Sequence, residues 1–211
     1  MSISEKYDRL APEFSTREYG DPERYYRRRA EAIVGVGPRL EPGDRLLDIA
    51  CGDGGQAEPL LAHGLTYYGI DVSPMMIAVA EERLAGRGHV EVADMFSYVP
   101  PEPVTATSCF RAIYYATDMR TTFEHFASYT TKKLVFDFSP RDYDERQMVA
   151  DLRAAGFARV VLRPFLYPQH YAPPRAVEAL LRSVERAGPL VRPLLKLRFT
   201  YVAAAFRQPG L

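Results

Sequence analysis

Along the 211 residues, short unbroken apolar runs alternate with stretches whose apolar positions recur at helical spacing. That alternation predicts βαβ units, a mostly parallel sheet covered by helices on both faces. Strands are expected at Arg45–Ala50, Thr66–Ile70, Val90–Val92, Val104–Phe110, Leu134–Phe138, Ala158–Phe165 and Phe199–Phe206. Their short, apolar character suits burial on both sides. Helices are expected at Gln56–Ala62, Pro74–Leu84, Met119–Tyr129 and Glu145–Ala155. The second is the best punctuated: Ser73 can cap it, Pro74 suits its first position and Gly86 follows its end. Further helical patterns fill the first 40 residues, and a proline-rich loop after Phe165 leads to expected helices at Arg175–Ala187 and near Leu190–Lys196. One α/β domain over residues 1–211 accommodates all of this, with a cap segment at 1–40 and an inserted lid at 166–196 before the last strand.

Composition narrows the class. With 47% apolar and 26% charged residues, the chain can bury a core and should be globular. No apolar run approaches about 18 residues, so no membrane-spanning helix is expected. The N-terminus has early acids and no apolar signal core, which points to the cytoplasm. Basic and acidic side chains cancel at 27 each, which argues against a nucleic-acid partner. Cys51 and Cys109 are too few and too far apart for a metal knuckle or disulfide framework, and Phe110 and Arg111 stand after the fourth strand where acidic ligands would be needed, so no metal is expected. The neutral average hides a gradient: residues 172–211 hold 7 basic and 2 acidic side chains, and the rest of the chain is net acidic.

Chemistry concentrates in Arg45-Leu46-Leu47-Asp48-Ile49-Ala50-Cys51-Gly52-Asp53-Gly54-Gly55. A buried strand runs into a loop of small residues that opens a helix, which lets backbone approach a ligand closely. The spacing nearly matches a dinucleotide fingerprint. Asp48 discriminates, because its carboxylate would repel a pyrophosphate and welcome an ammonium or sulfonium. The implied ligand is a nucleoside with a cationic tail. Asp71 ends the next strand, at the spacing of a carboxylate that binds ribose hydroxyls. Asp94 follows the third strand, within reach of an adenine amino group. Any one of these acids also fits a solvated strand end; three on successive parallel strands converge where such sheets bind ligands.

On these motifs the chain resembles the class I S-adenosylmethionine-dependent methyltransferases, in their small-molecule branch. Leu46–Gly54 is similar to that family's first motif, Gly69–Met76 to its second, Ala93-Asp94-Met95 to its third and Thr107–Tyr115 to its fourth. Lys6–Phe14 resembles the tyrosine-bearing segment that closes over the cofactor. The resemblance implies S-adenosyl-L-methionine as cofactor and a Rossmann-like seven-stranded sheet whose last strand is antiparallel, inserted beside the sixth. It implies that Asp48 with Ala50, Cys51 and Gly52 holds the methionine moiety, and that Asp71 holds the ribose. Val72 and Met76 would line one side of the adenine, Asp94 and Met95 the other. Tyr7 would close over the cofactor, and Cys109, Phe110 and Arg111 would meet the methionyl end. Ala50 replaces the family's usual first glycine, a change that asks only for a negative φ. The short, proline-rich Asp94–Val104 connection suggests that the usual third helix is missing.

Methyl transfer from a sulfonium needs alignment and desolvation more than a dedicated acid or base. Tyr114 and Tyr115 follow the central strand as pocket walls or hydrogen-bond donors, the alternative being that both pack under the lid. His170, in the loop before the added helices, is a further candidate to face substrate. His125 reads as a surface or packing residue, and Arg27, Arg28 and Arg29 as a solvated helix face. Aromatic residues crowd both flanking segments, which suits an apolar or aromatic small-molecule acceptor methylated on oxygen or nitrogen. A non-catalytic S-adenosylmethionine-binding partner subunit, a lipid-acting enzyme and a nicotinamide-dependent oxidoreductase remain as alternatives. The basic, leucine-rich tail reads as a lid, a peripheral membrane contact or a protein interface, on a monomer or homodimer.

Overall fold

The computed structural model describes residues 2–187 and 200–207. Three helices open the chain: α1 (Ile3–Leu10), α2 (Phe14–Glu18) and α3 (Pro22–Gly35). Strands β1 (Arg45–Ile49), β2 (Thr66–Asp71), β3 (His89–Val92), β4 (Val104–Cys109), β5 (Thr130–Phe138), β6 (Arg159–Phe165) and β7 (Thr200–Phe206) follow. Between them lie α4 (Ala57–Ala62), α5 (Pro74–Leu84), α6 (Met119–Tyr129), α7 (Glu145–Ala154) and α8 (Arg175–Arg186). All seven expected strands are present, within a few residues of their expected bounds. The part of the tail expected as a helix near Leu190–Lys196 lies outside the described residues.

The seven strands form one sheet in the order β3-β2-β1-β4-β5-β7-β6. Strands β1 to β5 pair in parallel, whereas β7 runs antiparallel between β5 and β6. The order reverses at β1, with β2 and β4 on its two sides, which opens the crevice at the carboxyl edge. No helix stands between β3 and β4 among the described residues, as the short connection suggested.

Strand parity sorts the side chains. Leu46 packs with α3, α4 and α5 on one face, while Leu47 and Ile49 pack with α6 and α7 on the other. Asp48 shares Leu46's parity and so enters the face that α3 covers. On β5 the alternation Lys133, Val135, Asp137 sends both charged residues to that same face. Lys133 is fully buried there and donates to the carbonyls of Val34 and Val36 at 3.0 and 2.9 Å, where α3 ends. Its ammonium thereby satisfies carbonyls that a helix end leaves without partners.

Helix α8 docks on α3 through charge. Arg28 pairs with Glu185 at 2.5 Å and with Glu31 at 2.8 Å, and Arg24 pairs with Glu178 at 2.5 Å. Arg182 reaches back to Glu31 at 2.9 Å. Buried Glu185 also accepts the amide of Leu166 at 2.8 Å, tying α8 to the end of β6. This corrects the reading of Arg27 to Arg29 as a solvated face. Arg27 does pair with Glu23 in solvent, but Arg29 is buried on the inward face of α3 with residues 25, 26, 30, 33 and 34, and Arg28 is buried under α8.

Burial pushes the Lys133 ammonium down to about 7, a shift to which neighbouring Lys132 and Arg39 add and which Asp44 opposes. An unfolded lysine titrates near ~10.4. Between these values the unfolded chain binds the extra proton, so this group's cost to folding shrinks as pH rises through that window. Lys133→Met should therefore flatten the rise in stability from pH ~7 to ~10. Urea denaturation of both proteins at several pH values measures this, and parallel profiles would refute it.

Candidate active site

The carboxyl edge opens into a cavity of about 250 Å³. Asp48 forms its floor at 2% exposure. Register sets Asp48 opposite Ser108 on β4, whose hydroxyl donates to it at 2.6 Å; the Tyr67 hydroxyl donates to the other oxygen at 3.0 Å. Burial raises the Asp48 pKa, and these donors with the Arg29 guanidinium oppose the rise. A cation arriving in the cavity would add to that opposition.

The loop after β1 turns on left-handed backbone. Ala50 lies at φ +55°, Gly52 at +58° and Gly54 at +71°. The expectation of a negative φ at Ala50 is thus overturned: the turn needs the left-handed form there, and a methyl group is small enough to endure it. At Gly54 a Cβ would stand 3.0 Å from that of Ala80 on α5, so glycine also permits close packing. Asp71 fixes the loop from the neighbouring strand, accepting the Gly52 amide at 2.9 Å and the Ser73 amide at 2.9 Å. Its pKa is raised by burial despite those amides. Asp94 is exposed at the rim, where one oxygen accepts the Phe96 amide at 2.9 Å.

The cavity brings together Tyr7, Asp48, Ala50, Cys51, Gly52, Asp71, Val72, Met76, Asp94, Met95, Phe110, Arg111, Tyr114 and Tyr115. Two expected residues are not on its wall. Cys109 is fully buried with Leu47 and Ile49, because strand parity points it to the opposite face from Asp48 and Ser108. His170 is exposed outside the cavity lining, in a loop whose backbone packs on Gly20. A Cβ on Gly20 would lie 2.5 Å from the His170 carbonyl oxygen, and the Gly20 amide donates to the Gln169 carbonyl at 2.9 Å.

Above the floor, α1 places Tyr7 against the short helical turn Ile113–Tyr115, with the Tyr7 and Tyr115 hydroxyls 3.0 Å apart. Burial pushes the Tyr114 phenol up to about 12 and raises Tyr7 further still. Both are therefore neutral near pH 7 and suited to donating hydrogen bonds. Phe14 stacks edge-on with Tyr7 and Tyr19, continuing an aromatic wall to Tyr25 and Tyr26.

Arg29 and Gln56 also line the cavity, and no motif in the sequence marked them. Arg29 is 6% exposed and lies over the Phe110 ring at 4.5 Å. It reaches the Tyr19 hydroxyl only at 3.5 Å, and its Nε has no hydrogen-bond partner. The buried Oε1 of Gln56 lacks a partner too, while its amide nitrogen donates to the Tyr26 carbonyl at 3.0 Å. The available signal was spacing: Arg29 stands four residues after Tyr25 and four before Ile33, on the apolar stripe of α3.

Comparison with known proteins agrees with this geometry. Residues 47–133 match the family described as a methyltransferase domain. An uncharacterized methyltransferase of Geobacillus kaustophilus is 32% identical over 123 residues, which cover 54% of this chain and 57% of that protein. The chain thus matches little more than half the length of that relative. A putative methyltransferase of Haloferax volcanii, solved in complex with the Trm112 methyltransferase activator, superposes with a TM-score of 0.68 at 19% identity, over 97% of this chain and 99% of that one. Phosphoethanolamine N-methyltransferase 2 of Haemonchus contortus, solved with S-adenosyl-L-methionine, superposes at 0.62 and 21% identity, over 86% of this chain and 52% of that one. Residues 47–133 thus carry the likeness to a methyltransferase domain, and the two solved neighbours share the α/β fold of the seven-stranded sheet.

The left-handed Ala50 carries a testable cost. Ala50→Gly should hold stability constant or raise it by up to about 1 kcal/mol, since glycine suits the positive φ but loses more entropy on folding. Chemical denaturation measures the difference, and a loss above about 1 kcal/mol would show that the Ala50 methyl packs rather than strains.

Proposed function

We propose that the protein transfers a methyl group from S-adenosylmethionine to an oxygen or nitrogen of a small acceptor with an apolar or aromatic body. One observation carries this reading: Asp48, Asp71 and Asp94, from three adjacent parallel strands, meet on one cavity with the Ala50–Gly52 turn. Bound S-adenosylmethionine would supply an electrophilic methyl, whose in-line displacement by the acceptor's lone pair leaves a neutral thioether that needs no proton.

The residues present fit that group. Its methionyl end bears an ammonium and a carboxylate, and the cavity offers a buried acid, Asp48, and a buried guanidinium, Arg29, whose Nε is unpartnered. No ion pair joins Arg29 to Asp48 among the described residues, so each keeps capacity for a ligand of opposite charge. The backbone of Ala50 to Gly52 borders the same space; Asp71 would hold the ribose, and Val72, Met76, Asp94 and Met95 would line the adenine. Phe110 supplies an apolar wall beside the methionyl end, and Tyr7 closes over it. Tyr114 and Tyr115 then face the acceptor as hydrogen-bond donors that hold and orient it. His170 has no part in this arrangement. The aromatic wall from Phe14 to Tyr26 excludes water and suits an apolar acceptor body.

Calorimetry on the full chain should show binding of S-adenosylmethionine and none of NAD or NADP. Asp71→Ala should weaken that binding by roughly 1–3 kcal/mol, the size of a lost charge-assisted hydrogen bond. Unchanged affinity would remove Asp71 from the cofactor site, and binding of NAD(P) alone would overturn the reading. Release of S-adenosylhomocysteine in the presence of small phenols or amines separates an enzyme from a non-catalytic cofactor-binding subunit.

A further inference from the structure

The cavity holds more positive charge than the proposed cofactor uses. Two guanidinium groups line it, those of Arg29, which lies over the Phe110 ring at 4.5 Å, and Arg111. Neither forms an ion pair with a carboxylate among the described residues. S-adenosylmethionine carries one carboxylate and therefore answers one of them. Arg29 is the better placed, since its charge acts on Asp48, the acid of the methionyl end. Both charges bear on Asp137 and Tyr19, but that of Arg111 does not reach Asp48 and acts instead on Tyr114, toward the aromatic side of the cavity.

Arg111 is also held in an uncommon conformation. It is one of three non-glycine residues with positive φ among the described residues, at +60°. Its amide donates to the buried Asp137 carboxylate at 2.6 Å, a charge-assisted bond that fixes the left-handed backbone. Such strain collects at ligand clamps, where the surroundings maintain it. The guanidinium then meets only a neutral partner, the Oε1 of Gln169, while the Gln169 amide donates to Glu18 at 3.4 Å. Glu18 is thereby separated from Arg111 by an amide.

We propose that Arg111 is the specificity-determining residue for the acceptor and that the acceptor carries an anionic group, a carboxylate or a phosphate, on its apolar or aromatic body. The inference rests on the methyltransferase reading above, and it moves Arg111 from the methionyl end, where its motif would place it, to the acceptor. A planar guanidinium whose only bonded side-chain partner among the described residues is a neutral amide is suited to bidentate recognition of either anion.

The test uses the full chain saturated with S-adenosylhomocysteine and three matched probes: phenylpropionate, phenylpropionamide and phenethyl phosphate. Binding read by saturation-transfer NMR and calorimetry should favour at least one anion over the neutral amide by roughly tenfold or more. The tighter of the two anions names the acceptor's group. In Arg111→Met that preference should fall to about one, with the affinity for S-adenosylhomocysteine unchanged. Arg111→Gly should do the same, and it suits the positive φ, so it guards against a variant that fails to fold. Equal binding of all three probes, binding of none, or a preference that survives in both variants would overturn the inference alone. A wild-type chain that fails to bind S-adenosylhomocysteine would overturn the cofactor reading and this inference with it.

Discussion

The buried carboxylate of Asp48 is the constraint around which the rest is arranged. A lone carboxylate at that depth would be strongly disfavoured, so its surroundings must supply donors and an opposing charge. Ser108 and Tyr67 supply the donors because register and strand parity put all three on one face of the sheet. The opposing charge comes from Arg29, and α3 must therefore cover this face and no other. Lys133 and the pairs between α3 and α8 hold that helix from its far end and its back. The polar stripe on the inner face of the sheet thus adds directed bonds to the apolar packing that holds the cap segment.

Much of the fold was legible because parallel strands buried on both faces leave a simple signal. The bounds of α5 and α6 follow from Ser73, Pro74 and the apolar spacing of Phe123 and Phe126. β5 was foreseen four residues short, since Thr130 to Lys133 look solvated until α3 provides carbonyls for a buried ammonium. Of the site, the acids at the strand ends could be found by spacing. Cys109 could not be placed by motif alone, whereas counting alternate residues from Asp48 through its β4 partner would have turned it away. Arg28 and Arg29 were obscured by their own run of charge. What decides their burial is a pair of acids about 150 residues onward, Glu178 and Glu185, which cover Arg28, together with the cavity, which takes Arg29. Local pattern carries no record of such partners.

Two left-handed residues bracket the cavity floor, Ala50 after β1 and Arg111 after β4. Both follow adjacent central strands, at the point where the order of the sheet reverses. At each, the chain must leave the sheet abruptly so that its backbone forms a wall rather than continuing upward. Strain there is sustained by a carboxylate from the neighbouring strand, Asp71 beneath the first turn and Asp137 beneath the second. The acidic edge consequently has two duties, to shape the loops and to face a ligand.

Gly20 gives the mouth of the cavity a mechanical property. Its amide is bonded to Gln169, and its α-carbon sits so close to His170 that no side chain would fit between them. The Gln169 side chain extends the seam to Glu18 on one side and Arg111 on the other. The front of the chain and the loop after β6, far apart in sequence, are thereby sewn into a single leaf. The opposite side of the mouth is tied differently, by the Tyr7 and Tyr115 hydroxyls and by Asp8, which accepts the Ser73 hydroxyl at 2.6 Å and so pins α1 to the start of α5. The cavity therefore has a jamb sewn from two segments distant in sequence and, facing it, a flap hung on hydroxyl groups.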